Sequence, residues 1–240
     1  MIKIKEVFAA YQQKINTTIH VEEIFGSSGM VNQYQKLDYG FFPLGSGILT
    51  AQSKTLIAEI APRGIMFLGN DFGTTEYLIK KCPENREKAT NPTIRNLLTL
   101  DIDVTHSFFT NFYLGLRDNV KFPEMGMTQL SIERKELYQK FCYDFFLVQL
   151  EIINPKTVVC MGKDTAIALY KFGEKQFPML SDKKPKIKYP TLYKDGTYQV
   201  NTSGTVFGNR KFVFIPHPSY AHMNWSPDIK TKFQSVILDE

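Results

Sequence analysis

Only three cysteines, one tryptophan and four histidines occur among the 240 residues. Cys82, Cys142 and Cys160 are too few and too scattered for a disulfide framework or a four-thiolate cluster, so buried apolar positions are expected for them. No apolar run approaches the roughly 18–20 residues that a membrane-spanning helix needs, and the first residues lack the charged, apolar and small-residue succession of a signal peptide. No membrane contact and a cytoplasmic location are expected on that ground. A Walker-type phosphate loop and a Gly-x-Gly-x-x-Gly fingerprint are both missing, which removes the commonest nucleotide-binding signatures. Cys-x-x-Cys is missing too, so His217 and His222, spaced like half of a zinc site, have no second half and no metal is expected. There is no internal repeat or low-complexity tract.

What is present points to one α/β domain. With 43% hydrophobic and 22% charged residues the chain can bury one sizeable core, so a single domain over 1–240 is expected. A net charge of +5 suits a phosphate-bearing partner without requiring one. Residues 1–20 carry Ile4, Val7, Phe8, Tyr11 and Ile15 at three-to-four spacing and predict a helix; 25–53 are rich in Gly, Ser and Gln and predict loop. Together 1–60 form an N-terminal helix-and-loop extension. Strands are expected over 64–68, 107–111, 156–162 and 211–216. Helices are expected over 93–100 after Asn91-Pro92, over 131–153 before Pro155, over 164–172 before Gly173, and from Ser226 or Pro227 to Leu238. Residues 174–210, with many Lys, Pro, Gly and Tyr, are expected as an extended insertion or hairpin before the last strand. Fully apolar strands alternating with helices predict a three-layer α/β/α fold around a central four-stranded parallel sheet.

Three of these strands deliver polar residues at their carboxyl ends. Gly64-Ile65-Met66-Phe67-Leu68 leads into Gly69-Asn70-Asp71-Phe72-Gly73, Ser107-Phe108-Phe109-Thr110 into Asn111, and Lys211-Phe212-Val213-Phe214-Ile215-Pro216 into His217-Pro218-Ser219. In an open α/β sheet ligands bind in the crevice beyond the carboxyl ends of the strands, so the three clusters can converge there.

Strand then Gly-x-Asp/Asn-x-Gly, strand then Asn, strand then His-Pro-Ser, in that order over roughly residues 60–235, resembles the uracil-DNA glycosylase superfamily. The resemblance implies a monofunctional glycosylase of base excision repair. Such an enzyme flips a nucleotide out of DNA and hydrolyses the N-glycosidic bond of uracil or a related base, as a monomer and without a cofactor. Asp71 falls where one branch places the aspartate that orients the attacking water and offsets positive charge on the sugar. Asn70 falls where the iron-sulfur branch places its catalytic acid, so the catalytic position stays open between the two; capping of a following helix is the alternative for Asp71. Asn111 can accept from a base N3–H while donating to O4, a pairing that cytosine would not satisfy, or can simply close a turn. His217, as a neutral imidazole, can donate toward the base O2 where negative charge accumulates.

Gly69, Phe72 and Gly73 would frame the base. Phe72 stands where the family usually has Pro, and it or Tyr77 would supply the stacking face. Gly73 matches the mismatch-type branch rather than the tyrosine that excludes a C5 methyl group, which implies a substrate range broader than uracil. Ser219 would contact a phosphate. Tyr220, His222 and Met223 lie in the loop that enters the duplex, with Tyr220, Met223 and Trp225 as the candidate wedges, although packing of the last helix is preferred for Trp225. Cys142 stands where the last ligand of the iron-sulfur branch stands, but the other ligands are missing and no cluster is expected. Basic runs at Lys80, Lys81, Arg86 and Lys88 and at Lys183, Lys184, Lys186 and Lys188 are candidates for tracking phosphates. Two other classes compete: a nucleic-acid-binding protein with the same fold and a weakened site, and an α/β enzyme acting on a free nucleoside or nucleotide.

Overall fold

A strand such as Val158-Val159-Cys160-Met161, apolar at every position, needs cover on both faces. The computed structural model provides that cover and describes residues 2–18, 30–31, 59–60, 63–71, 92–102, 106–114, 116–117, 132–173, 198–201, 207–220 and 225–238. In chain order the first elements are β1 (Ile2–Lys3), α1 (Ile4–Thr17), β2 (Met30–Val31), β3 (Glu59–Ile60), β4 (Ile65–Gly69), α2 (Pro92–Leu98), β5 (Phe108–Asn111) and β6 (Leu116–Arg117). They are followed by α3 (Ile132–Ile153), β7 (Thr157–Met161), α4 (Lys163–Gly173), β8 (Tyr198–Asn201), β9 (Lys211–Ile215), a 3-10 turn (Pro218–Tyr220) and α5 (Pro227–Leu238).

The central sheet runs β5-β4-β7-β9-β8. Its first four members are parallel and coincide with the four expected strands. The sheet nevertheless has five strands, not four. Tyr198–Asn201, from the stretch expected as an insertion, pairs antiparallel with β9, Val200 opposite Phe212. An antiparallel edge strand on an otherwise parallel sheet is a common arrangement.

Alternation along each strand sorts the core into two layers. Met66, Leu68, Phe108, Val158, Cys160, Phe212 and Phe214 pack with residues of α1, α3 and α4. Phe67, Phe109, Val159, Met161, Val213 and Ile215 pack with residues of α2 and α5. The chain is thus three-layered. Helix α1, expected within an extension, lies inside the first layer: Val7, Tyr11 and Ile15 are buried, and Tyr11 meets Phe145 edge-on at 5.1 Å.

Local signals set the helix ends. Asn154 takes a left-handed backbone (φ 45°), its N–H donates to Leu150 O at 3.0 Å, and Pro155 blocks continuation of α3. Ser226 caps α5, its Oγ accepting from Ile229 N at 3.3 Å, with Pro227 at the first helical position. No described helix is long and apolar enough to cross a membrane.

Candidate active site

All four parallel strands end at the same sheet edge. After β4 the next described helix, α2, packs on one face, whereas α4 follows β7 onto the other. Where successive connections leave for opposite faces a crevice opens, and here it lies between β4 and β7. Asn70 and Asp71 follow β4, Asn111 ends β5, Gly162 follows β7, and His217 stands two residues beyond β9.

On the β4–β5 side the backbone ladder continues past the strands. Gly69 pairs with Asn111; Phe112 N donates to Gly69 O at 2.9 Å and Tyr113 N to Asn70 O at 2.8 Å. Gly69 leaves the room that the Asn111 side chain takes up: a Cβ there would overlap Asn111 Oδ1 and lie 3.3 Å from its Cγ. The Asn111 side chain is therefore seated on the Gly69 backbone. The segment behind it is clamped: Tyr138 Oη donates to Leu114 O at 2.6 Å, Leu114 N to Cys142 Sγ at 3.5 Å, and Gln139 Nε2 to Tyr113 Oη at 3.2 Å. Burial pushes the Cys142 thiol up to about 12 and raises the Tyr113 phenol, so both stay protonated. Cys142 and Cys160 are buried and free, which fits the structural role expected for them.

Asn70 donates Nδ2–H to Asp71 Oδ2 at 3.3 Å. Its Oδ1 is buried and makes no hydrogen bond among the described residues, and the Oγ1 of Thr110, one residue before Asn111, is in the same condition.

On the β9 side, Ser219 holds the His217 ring. Ser219 N donates to Nδ1 at 3.2 Å and Ser219 Oγ lies 2.7 Å from the same nitrogen. A nitrogen that accepts from a backbone N–H carries no proton, so in the neutral ring the proton is on Nε2. Burial lowers the proton affinity of His217, and the negative charges of Asp71 and Asp164 offset part of that. The ring rests against Gly162, whose φ is +90° and whose hypothetical Cβ would meet His217 Cβ at 3.2 Å and Cδ2 at 3.4 Å. Gly162 N donates to Ile215 O at 2.8 Å, which extends the β7–β9 ladder to the site. From α2, Asn96 Nδ2 donates to Pro218 O at 2.6 Å and fixes the turn after His217.

Of the expected site residues, Gly69, Asn70, Asp71, Asn111, His217 and Ser219 all stand at this edge. Ser219, expected at a phosphate, has the His217 ring as its partner. Trp225 is buried against Phe233 at 5.2 Å, so packing is its role and the wedge alternative falls. Phe72, Gly73, Tyr77, Cys82, His222, Met223, both basic runs and the side chain of Tyr220 lie outside the described residues. Three contributors were not anticipated. Gly162 and Asp164 had a readable signal, because Met161-Gly162-Lys163-Asp164 repeats the strand-Gly-x-Asp pattern of Leu68-Gly69-Asn70-Asp71. Asn96 had none, since its partner lies 122 positions away. Among the described residues no three His, Cys, Asp or Glu side chains gather as a metal site would need. No protein-family model matches the chain, and no curated protein matches it.

Proposed function

We propose that the chain is a monofunctional DNA glycosylase of the uracil-DNA glycosylase type, hydrolysing the N-glycosidic bond of uracil or a related base flipped from DNA. The observation that carries this reading is the His217 ring. Its Nδ1 is committed to Ser219 and its Nε2 bears the proton, and it shares one sheet edge with Asp71 and with Asn111 seated on Gly69. Asn111 ends β5 and His217 stands just beyond β9, strands three spacings or about 14 Å apart at the backbone, which a pyrimidine and two hydrogen-bonding side chains span.

Asn111 reads N3–H and O4 of the base, and His217 donates Nε2–H to O2. As the bond between C1′ and the base nitrogen breaks, its electron pair moves onto the base and the sugar becomes cationic. A preformed donor at O2 and a preformed carboxylate at Asp71 oppose both charges without reorganisation. A neutral imidazole is the suitable donor, and burial favours that state.

Alkali-revealed cleavage of end-labelled oligonucleotides carrying uracil, hypoxanthine, a mismatched thymine or 5-substituted uracils tests the reading. Product with wild type, lost in Asp71→Ala, Asn111→Ala and His217→Ala, is expected. Salt-sensitive DNA binding without product on any base would leave a binding protein with this fold.

A further inference from the structure

A single register row crosses the sheet at its carboxyl edge. Gly69 stands opposite Asn111. Leu68 stands opposite Cys160, which brings the next pair, Gly69 and Met161, level, and Met161 stands opposite Ile215. Asn111, Gly69, Met161 and Ile215 thus follow one another across β5, β4, β7 and β9. Phe67, Phe109, Met161 and Ile215 belong to one core layer, so by two-residue alternation Gly69 and Asn111 face the same side. Asn111 and Met161 are two strand spacings apart, roughly 10 Å at the backbone. Their side chains converge over Gly69. A Cβ there would overlap Asn111 Oδ1 and lie 3.7 Å from Met161 Cε, so the two side chains share the room that residue 69 leaves. The Met161 end of the row is rigid: Thr165 Oγ1 donates to Met161 O at 2.8 Å and Gly162 N to Ile215 O at 2.8 Å.

What meets the Asn111 amide over Gly69 is C–H: the Gly69 Cα–H and the Met161 methyl group. An amide oxygen fits there, because Cα–H is a weak donor, whereas an NH2 group turned the same way would find no acceptor. We propose that Met161 is a positioning residue that holds the Asn111 amide with its oxygen over Gly69, and that this orientation selects deaminated bases over their amino parents. The proposal rests on the glycosylase reading above and narrows its substrate class. A deaminated base presents a ring N–H beside a C=O, and its amino parent presents a ring nitrogen acceptor beside an NH2 donor. A half-turn of the amide about Cβ–Cγ exchanges its donor and acceptor, and with them the pattern it matches. An apolar Met161 offers nothing that rewards the turned amide.

The test measures single-turnover cleavage of the deaminated base that wild type removes fastest and of its amino counterpart, uracil with cytosine or hypoxanthine with adenine, in the same oligonucleotide. Wild type is compared with Met161→Leu, which keeps an apolar group of similar volume, and with Met161→Gln, whose amide bonds either end of Asn111. Met161→Ala removes the stop without adding a polar group. We expect Met161→Leu to keep the wild-type preference for the deaminated base, and Met161→Gln and Met161→Ala to lower it about 10-fold or more. The ratio cancels any general loss of folded or active protein, which thermal midpoints record separately. Should Met161→Gln not fold, Met161→Ala decides. A folded Gln or Ala variant with the wild-type preference, a Leu variant that loses it as far as Gln, or wild type that cleaves both bases equally overturns the role of Met161 and leaves the glycosylase reading standing. Wild type inactive on every base removes the glycosylase reading and this inference with it.

Discussion

At the amino edge of the parallel sheet, where β4, β7 and β9 begin, Arg210 ties the turn before β9 to the end of α3. Arg210 donates to Phe207 O, to Leu150 O at 2.8 Å and to Asn154 Oδ1 at 3.2 Å; Lys156 N reaches Gly64 O and Lys211 N reaches Lys156 O. At the carboxyl edge of the same strands, Asn70 Oδ1 and Thr110 Oγ1 are buried without partners among the described residues, and Gly69 and Gly162 clear space for Asn111 and His217. Residue types overlap between the edges, but their use differs. Bonds from protein to protein stabilise a fold, whereas a buried polar atom without a described partner costs stability; Gln149 Nε2 and Oε1, near the end of α3, are in that condition too, so what distinguishes the carboxyl edge is the space its two glycines leave for Asn111 and His217.

The largest effects should therefore fall on different observables at the two edges. His217→Ala should lower the single-turnover rate by about 1000-fold, as loss of one preorganised donor does, with an unchanged thermal midpoint. Arg210→Ala should do the reverse. It leaves Leu150 O and Phe207 O without a charged donor and should cost about 2–3 kcal/mol in denaturant unfolding, with the rate per folded molecule unchanged. A His217→Ala protein that melts early, or an Arg210→Ala protein that is folded but inactive, would break the contrast.

Gly69→Ala sharpens the contrast inside the carboxyl edge. The added methyl group meets the end of a side chain, so Asn111 can swing away and stability should change by less than about 1 kcal/mol. The rate should nevertheless fall about 10–100-fold, because the amide that reads the base has moved. Gly162→Ala should lose rate by a smaller factor and also about 1–2 kcal/mol of stability, since it combines a strained φ of +90° with a contact 3.2 Å from His217 Cβ. Equal stability losses in the two variants would contradict the view that only Gly162 carries a backbone constraint.

The sequence was most legible where one residue type answers one local demand. Apolar runs ending in Gly-Asn-Asp, Asn and His-Pro located three of the four parallel strands, and the run ending at Gly162 the fourth, within a residue or two, because buried parallel strands tolerate few polar positions. Pro155, Gly173 and Pro227 located helix ends for equally local reasons. The fifth strand was legible only as the hairpin alternative for 174–210, without bounds, because an edge strand is covered on fewer sides and Tyr198–Asn201 has no continuous apolar signature. Ser219 was assigned to a phosphate because its hydroxyl suits either partner. The backbone turn that carries its N–H to His217 Nδ1 adds a second role, holding the ring, that local pattern did not show. Asn96 at Pro218 O is a purely tertiary contact and left no trace in local pattern.

The smallest effect is electrostatic and concerns the acid side of the pH profile. His217 is faced by Asp71 from β4, Asp164 from α4 and Ser219 from its own turn. Burial is the larger influence and holds its proton affinity below the ordinary imidazole value, while the two carboxylates pull it back up. An unfolded histidine takes up a proton at higher pH than this one does. The stability gained by keeping the ring neutral is therefore complete above about pH 6.5 and is lost as pH falls through the folded value. Activity should fall over the same acidic range, because a proton on Nδ1 would displace the Ser219 N–H. Asp164→Asn removes one of the charges that favour the proton, so the acid limb of the pH–rate profile should move to lower pH with little change in the plateau. Asp164 is exposed, so added salt should shrink that displacement. A limb that moves upward, or one equally displaced at high salt, would mean that Asp164 acts on His217 through the shape of the β7–α4 turn and not through its charge.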